Sequence, residues 1–139
     1  MSTTTRSAKR TEFLNDLLVT TIENGGYGPF RTLSYEPRDA EPYAVVRFHG
    51  DGMASHRVTV ETFAHGISVI RKAVDQINSD YPSDGEVLHN AGTGQRLFMG
   101  SEMRQRILMA SDENDAGEMD VLDALAILEC AIFGAVTYC

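Results

Sequence analysis

Ser111-Asp112-Glu113-Asn114-Asp115-Ala116-Gly117-Glu118-Met119-Asp120, with the apolar run from Val121 to Gly134 behind it, is the stretch on which the reading of this chain turns. Before it, Met103, Ile107 and Leu108 recur at helical spacing. After it, Val121, Leu122, Leu125, Ala126, Leu128, Ile132 and Phe133 leave little polar circumference. A helix over about 101–111 therefore ends, an acidic turn follows, and a second helix begins near Asp120 and stops at Gly134. A helix apolar nearly all round has to be covered, so this last one is expected to be the core helix.

The same stretch concentrates charge. From Ile107 to Cys139 there is no Lys or Arg, while Asp112, Glu113, Asp115, Glu118, Asp120, Asp123 and Glu129 are acidic. Asp112, Asn114, Gly117, Asp120 and Asp123 fall where the twelve-residue calcium loop of a helix-loop-helix hand places its first, third, sixth, ninth and twelfth residues. Ala116 fails at the fifth position, where an oxygen is needed, and Asp123 is shorter than the bidentate Glu of the twelfth. No metal site is favoured: Asp112, Asn114, Asp120 and Asp123 remain a weak candidate set, with millimolar calcium affinity at best. The preferred reading is a capping junction in which Gly117 ends one helix and Asp115, Glu118 or Asp120 starts the next. Asp112, Glu113, Asp115 and Glu118 are then left as an acidic surface for a basic partner.

Working outward, Phe13, Leu14, Leu17, Leu18 and Ile22 share one face of a helix over 11–24, with Thr11 as N-cap and Gly25-Gly26 as its stop. Segments 27–35 and 43–49 carry the aromatic and β-branched residues of strands, bracketed by Pro37 and Pro42. A third strand over 55–58 follows the turn Gly50-Asp51-Gly52. Val60, Phe63, Ala64, Ile67, Ile70, Val74 and Ile77 mark a helix over 59–78 that starts with Thr59, Glu61 and Thr62. Its Gly66 costs roughly 1 kcal/mol against Ala, which points to close approach of another backbone. Residues 78–94, with Pro82, Gly85, Gly92 and Gly94, form the main loop. Residues 135–138 are suited to a final edge strand. These elements make an α+β fold, a small antiparallel sheet of two to four strands on about four helices, within one domain over 11–139 after a flexible tail over 1–10.

Composition narrows the function classes. The chain has 139 residues, 42% of them hydrophobic, and a net charge of −8. That charge argues against general nucleic-acid binding, which needs clustered Lys and Arg. No apolar run is long enough to span a membrane, and Met1 to Arg10 has no signal-type apolar core. Cys130 and Cys139 make neither a metal spacing nor a disulfide framework, which suits a reducing cytosol. Gly92, Gly94 and Arg96 sketch an anion-binding loop, but the third glycine and the preceding strand of a dinucleotide fingerprint are missing. His49 and His56 flank a turn and are a weak zinc pair; His65 and His89 have no metal spacing with them. There is no GxSxG elbow and no HExxH, so no catalytic residue is assigned and no cofactor is implied.

Glu12-Phe13-Leu14, Thr20 to Gly26, Glu113 to Asp120 and Ala131 to Gly134 together resemble a family of small uncharacterised proteins encoded by tailed bacteriophages of actinobacteria. The resemblance implies a non-structural phage protein made in the host cytoplasm and brings no activity or catalytic residues with it. The expectation is a non-enzymatic accessory protein that binds a host macromolecule, in the manner of host takeover or anti-defence. The alternatives are a small-ligand or nucleotide binder using the loop around Arg96, and a hydrolase.

Overall fold

Eight consecutive residues, Asp123 to Cys130, are buried. Burial on every side of a helix places it at the centre of the molecule, as the apolar run requires. The computed structural model describes residues 6–24, 29–77 and 87–137. In chain order it contains α1 (Ala8–Asn24), β1 (Phe30–Glu36), β2 (Tyr43–Phe48), β3 (His56–Val58), α2 (Val60–Gln76), α3 (Ser101–Glu113) and α4 (Val121–Phe133). This is an α+β fold: four helices on a three-stranded antiparallel sheet. One buried cluster draws side chains from all seven elements. Among the described residues, no helix is long and apolar enough to cross a membrane.

α4 packs chiefly on α2. Gly66 makes that contact possible, since a Cβ there would collide with the Ile127 carbonyl oxygen and lie 2.8 Å from the Ile127 Cγ2. α2 begins at Thr59, whose hydroxyl accepts from the Glu61 amide (3.2 Å) while the Thr62 hydroxyl accepts from the Thr59 amide (3.0 Å). That reciprocal cap satisfies donors the helix itself leaves open.

The strands pair in the order β1-β2-β3. Alternation sends Ala44, Val46 and Phe48 of β2 into the core with Phe30 and Val58. The Phe48 ring meets Phe30 at 5.5 Å and the Phe133 edge at 4.9 Å. Thr32 pairs with Val46 but Ser34 with Val45, so Leu33 is one residue too many and β1 bulges there. Beyond the bulge, Tyr35 returns to the helix side and donates to Glu23 of α1 (2.7 Å).

Several expectations need correction. α1 starts at Ala8 and not after Thr11; the Ser7 hydroxyl accepts from the Arg10 amide (3.1 Å) and the Ser7 carbonyl from the Thr11 amide (3.0 Å). The flexible tail therefore does not extend to Arg10. Arg6 grips Glu61 with bonds of 2.5 and 3.1 Å, and Arg10 donates to the Ser111 carbonyl (2.8 Å) and Asn114 Oδ1 (3.0 Å). Leu122, assigned to the core, is 52% exposed. Residues 135–137 form no strand; among the described residues their backbone meets another backbone segment only where Val136 N–H donates to the Leu97 carbonyl (3.0 Å). The Gly25-Gly26 stop, Pro82 and Gly85 of the main loop, Tyr138 and Cys139 lie outside the described residues.

Candidate functional site

The acidic turn is a capping junction built from different residues than its glycine suggests. α3 ends at Asn114, in the left-handed region at φ 52°. Asn114 N–H reaches the Ser111 carbonyl (3.3 Å) and Asp115 N–H the Ala110 carbonyl (3.0 Å), the paired bonds of a Schellman ending. Gly117 is not left-handed and does not cap α3; its amide donates to Asp115 Oδ1 (2.9 Å) in an Asx turn. The incoming helix is capped by Asp120, which accepts from the Asp123 amide (2.9 Å), while Asp123 accepts from the Asp120 amide (3.2 Å).

Asp123 does a second job. It is fully buried, and Arg106 of α3 grips both its oxygens at 2.7 Å. A fork-to-carboxylate pair of this kind ties α3 to the first turn of α4. The hydrogen bonds Arg106 donates to Asp123 in turn raise its guanidinium above the ordinary range.

The four candidate calcium ligands are committed elsewhere. Asp112 pairs with Arg71 of α2, Asn114 accepts from Arg10, and Asp120 and Asp123 cap each other. Among the described residues no group of three or more His, Cys, Asp or Glu is placed to hold a metal ion. His56 turns toward Asp51 (2.7 Å) and the Phe133 ring, while His49 is exposed.

Arginines from other helices neutralise part of the acidic stretch. Arg71 meets Asp112, and Arg106 meets Asp123. Glu129 is buried in α4, where its Oε1 accepts from the Thr137 amide (2.8 Å). Glu113, Asp115 and Glu118 remain exposed.

The loop around Arg96 is a tight hairpin-like turn and not an anion cradle. Leu97 N–H donates to the Leu88 carbonyl (2.9 Å) and Asn90 N–H to the Gln95 carbonyl (2.7 Å). The Asn90 carboxamide oxygen then accepts from Gly92 N–H (2.8 Å) and Thr93 N–H (3.1 Å), and Gly94 N–H reaches the Asn90 carbonyl (2.8 Å). The amides of Gly92 and Gly94 are thus spent inside the turn, and Arg96 lies over the Phe98 ring at 4.8 Å. One side of this turn faces α2 across a cleft of about 440 Å³ that His65, Ser68, Lys72, Asn90, Thr93 and Gln95 border. Cys130 borders it too, but burial and then Glu129 push its thiol up to about 12, which leaves it unreactive at neutral pH.

Sequence reasoning missed Phe98. Its neighbours Leu97 and Met99 are buried, whereas Phe98 is 64% exposed and held at φ 57°. An aromatic residue in the left-handed region costs about 1–2 kcal/mol. The ring stands between two hollows, one bordered by Arg96, Ala135 and Thr137, the other by Met103, Arg106 and Leu122, with Val136 common to both. Alternation of Leu97, Phe98 and Met99 was the only signal in the sequence, and without the backbone angle it reads as ordinary. Comparison with known proteins gave no match: no family model fits the chain, and neither a curated protein nor a solved structure is significantly similar to it.

Proposed function

We propose that this chain is a non-enzymatic binding protein that engages a host protein through the apolar ridge of Phe98 and Leu122, with the exposed acids of the neighbouring turn as its polar rim. The observation that carries the reading is Phe98, an aromatic side chain displayed to solvent at a conformational cost. Exposed aromatic and arginine side chains beside apolar hollows are what interface hot spots are made of, and Arg96 already stacks on this ring. Glu118 is exposed in the turn that leads into α4, the helix that carries Leu122, and would meet a basic rim on the partner. A phage accessory protein acting in the host cell, as the resemblance implies, fits a surface of this kind.

The test is capture from an actinobacterial host lysate with the intact chain and with Phe98→Gly. Glycine accepts the left-handed angle, so the variant should be at least as stable as the parent and should lose the captured protein. Capture of the same protein by both would overturn the reading. Glu113→Gln with Glu118→Gln should weaken capture without changing the melting temperature.

A second reading is supported by the cleft between α2 and the Asn90 turn. Its volume is in the range of small-ligand sites, and Lys72 would supply the charge for an anionic group in place of the spent amides, with His65 at the rim. A co-purifying nucleotide in native mass spectrometry, absent from Lys72→Ala, would support it.

A further inference from the structure

The face of the sheet turned away from the helices carries Tyr43, Val45 and Arg47 on β2. Register places Arg31 of β1 directly across from Arg47, and Arg57 of β3 across from Val45. Three arginines from three strands thus share one face of a chain whose net charge is −8. Among the described residues, none of the three has an ion-pair partner. Like charges directly opposite on an antiparallel pair oppose folding, so Arg31 and Arg47 do not stabilise the sheet by facing each other. The Arg47 Nε is buried and, among the described residues, has no hydrogen-bond partner. A buried donor without an acceptor is costly, so Arg47 is not placed here for the stability of the sheet.

The aromatic component is there as well. The Arg57 guanidinium carbon lies over the Tyr43 ring, 3.9 Å from its centroid, so a cation and an aromatic ring share one spot on this face. Beyond Tyr43 stands Glu36, its cross-strand partner. Glu36 weakens the positive field at the Tyr43 end, but it lies five residues along β1 from Arg31, about 17 Å of extended strand, beyond the roughly 8 Å over which exposed charges act at physiological salt. The field at the Arg31–Arg47 end is therefore set locally and not by the acidic net charge.

We infer that the outer face of the sheet binds a short stretch of single-stranded nucleic acid, with Arg31, Arg47 and Arg57 on its phosphates and the Arg57–Tyr43 pair under one base. Planar forks suit phosphate oxygens, and unpaired bases stack on guanidinium planes and aromatic rings alike. An acidic peptide would use the arginines but leave the aromatic ring idle. This inference goes beyond the protein-binding ridge and uses none of its residues.

The experiment follows the polarisation of a fluorescein-labelled short oligouridylate titrated with the full chain at several salt concentrations. Binding should weaken with salt with a log–log slope of about −2, from roughly 0.7 per phosphate neutralised by each of three arginines. Arg31→Gln with Arg57→Gln, both exposed positions, should lose at least tenfold in affinity with an unchanged melting curve. Tyr43→Ser should lose several-fold without altering the slope, because stacking releases no counterions. Absence of binding, equal binding by the double variant, or a duplex bound as tightly as the single strand would overturn the proposal. So would displacement of the probe by polyglutamate as readily as by unlabelled oligouridylate, which would mark an acidic protein as the occupant.

Discussion

Between Asp112 and Asp123 the chain gathers acids with no Lys or Arg among them, yet the fold brings Arg71 and Arg106 to the two ends of that turn. Arg31, Arg47 and Arg57 are scattered along the chain, yet the sheet brings them onto one face and gives none of them a carboxylate among the described residues. The region that looked uncompensated is thus partly neutralised, and the region that looked unremarkable carries the unsatisfied charge. Linear clustering of charge says little about residual charge, because salt bridges are set by packing between distant segments.

Both regions hang on the α2–α4 contact, so its disruption is the largest effect available. Gly66→Ala should destabilise the protein by about 3 kcal/mol, overriding the roughly 1 kcal/mol that Ala gains in helix propensity. The clash is with backbone, which cannot rotate away as a side chain would. A chemical denaturation midpoint within error of the parent would show that α2 and α4 slide apart freely, and that the framework joining the two regions is softer than the packing implies.

The acidic turn contains its own contrast. Asp123→Ala removes a cap and leaves Arg106 without its buried partner, and should cost about 2–3 kcal/mol. Asp112→Ala breaks an exposed pair with Arg71 and should cost no more than about 0.5 kcal/mol. Equal losses in thermal melts would mean that burial does not separate the two carboxylates.

How much of this was legible follows the range of the interaction concerned. Thr59 as the cap of α2, Gly134 as the stop of α4 and the close approach at Gly66 were readable, and Asp120 was one of three candidate caps of α4, because each depends on neighbours in sequence or on an anomaly at one position. The end of α3 was misassigned to Gly117 because Asn114 also tolerates the left-handed region and comes first in the chain. α1 was started late because Ser7 was counted with the tail. The arginine face could not be read at all, since it depends on strand register and on a bulge at Leu33 that inverts which side later residues face. Phe98 was hidden for a related reason: only its backbone angle distinguishes it.

The correction at the turn has a smaller but direct consequence. Asn114→Ala should cost about 1 kcal/mol, since alanine resists the left-handed angle and drops the bond from Arg10. Gly117→Ala should stay within about 0.5 kcal/mol, because the added Cβ meets only the movable Asp115 carboxylate at 3.1 Å. Reversed magnitudes in denaturant titrations would return the cap to Gly117.

The smallest expected change in stability is the most informative about the sheet. Arg31→Glu converts a like-charge pair across β1 and β2 into an opposite-charge pair facing Arg47. Such pairs contribute roughly 0.2–1 kcal/mol, so the variant should be slightly more stable than the parent and lose part of that gain in high salt. It should at the same time lose oligonucleotide binding, because an acid now occupies the path of the phosphates. A residue whose replacement improves the fold while removing a ligand is held for the ligand, which is the usual relation between stability and function at a site. If Arg31→Glu instead lowers the melting temperature, Arg31 is holding the edge of the sheet together. The facing arginines would then be a structural feature, and the contrast with the acidic turn would lose its functional meaning.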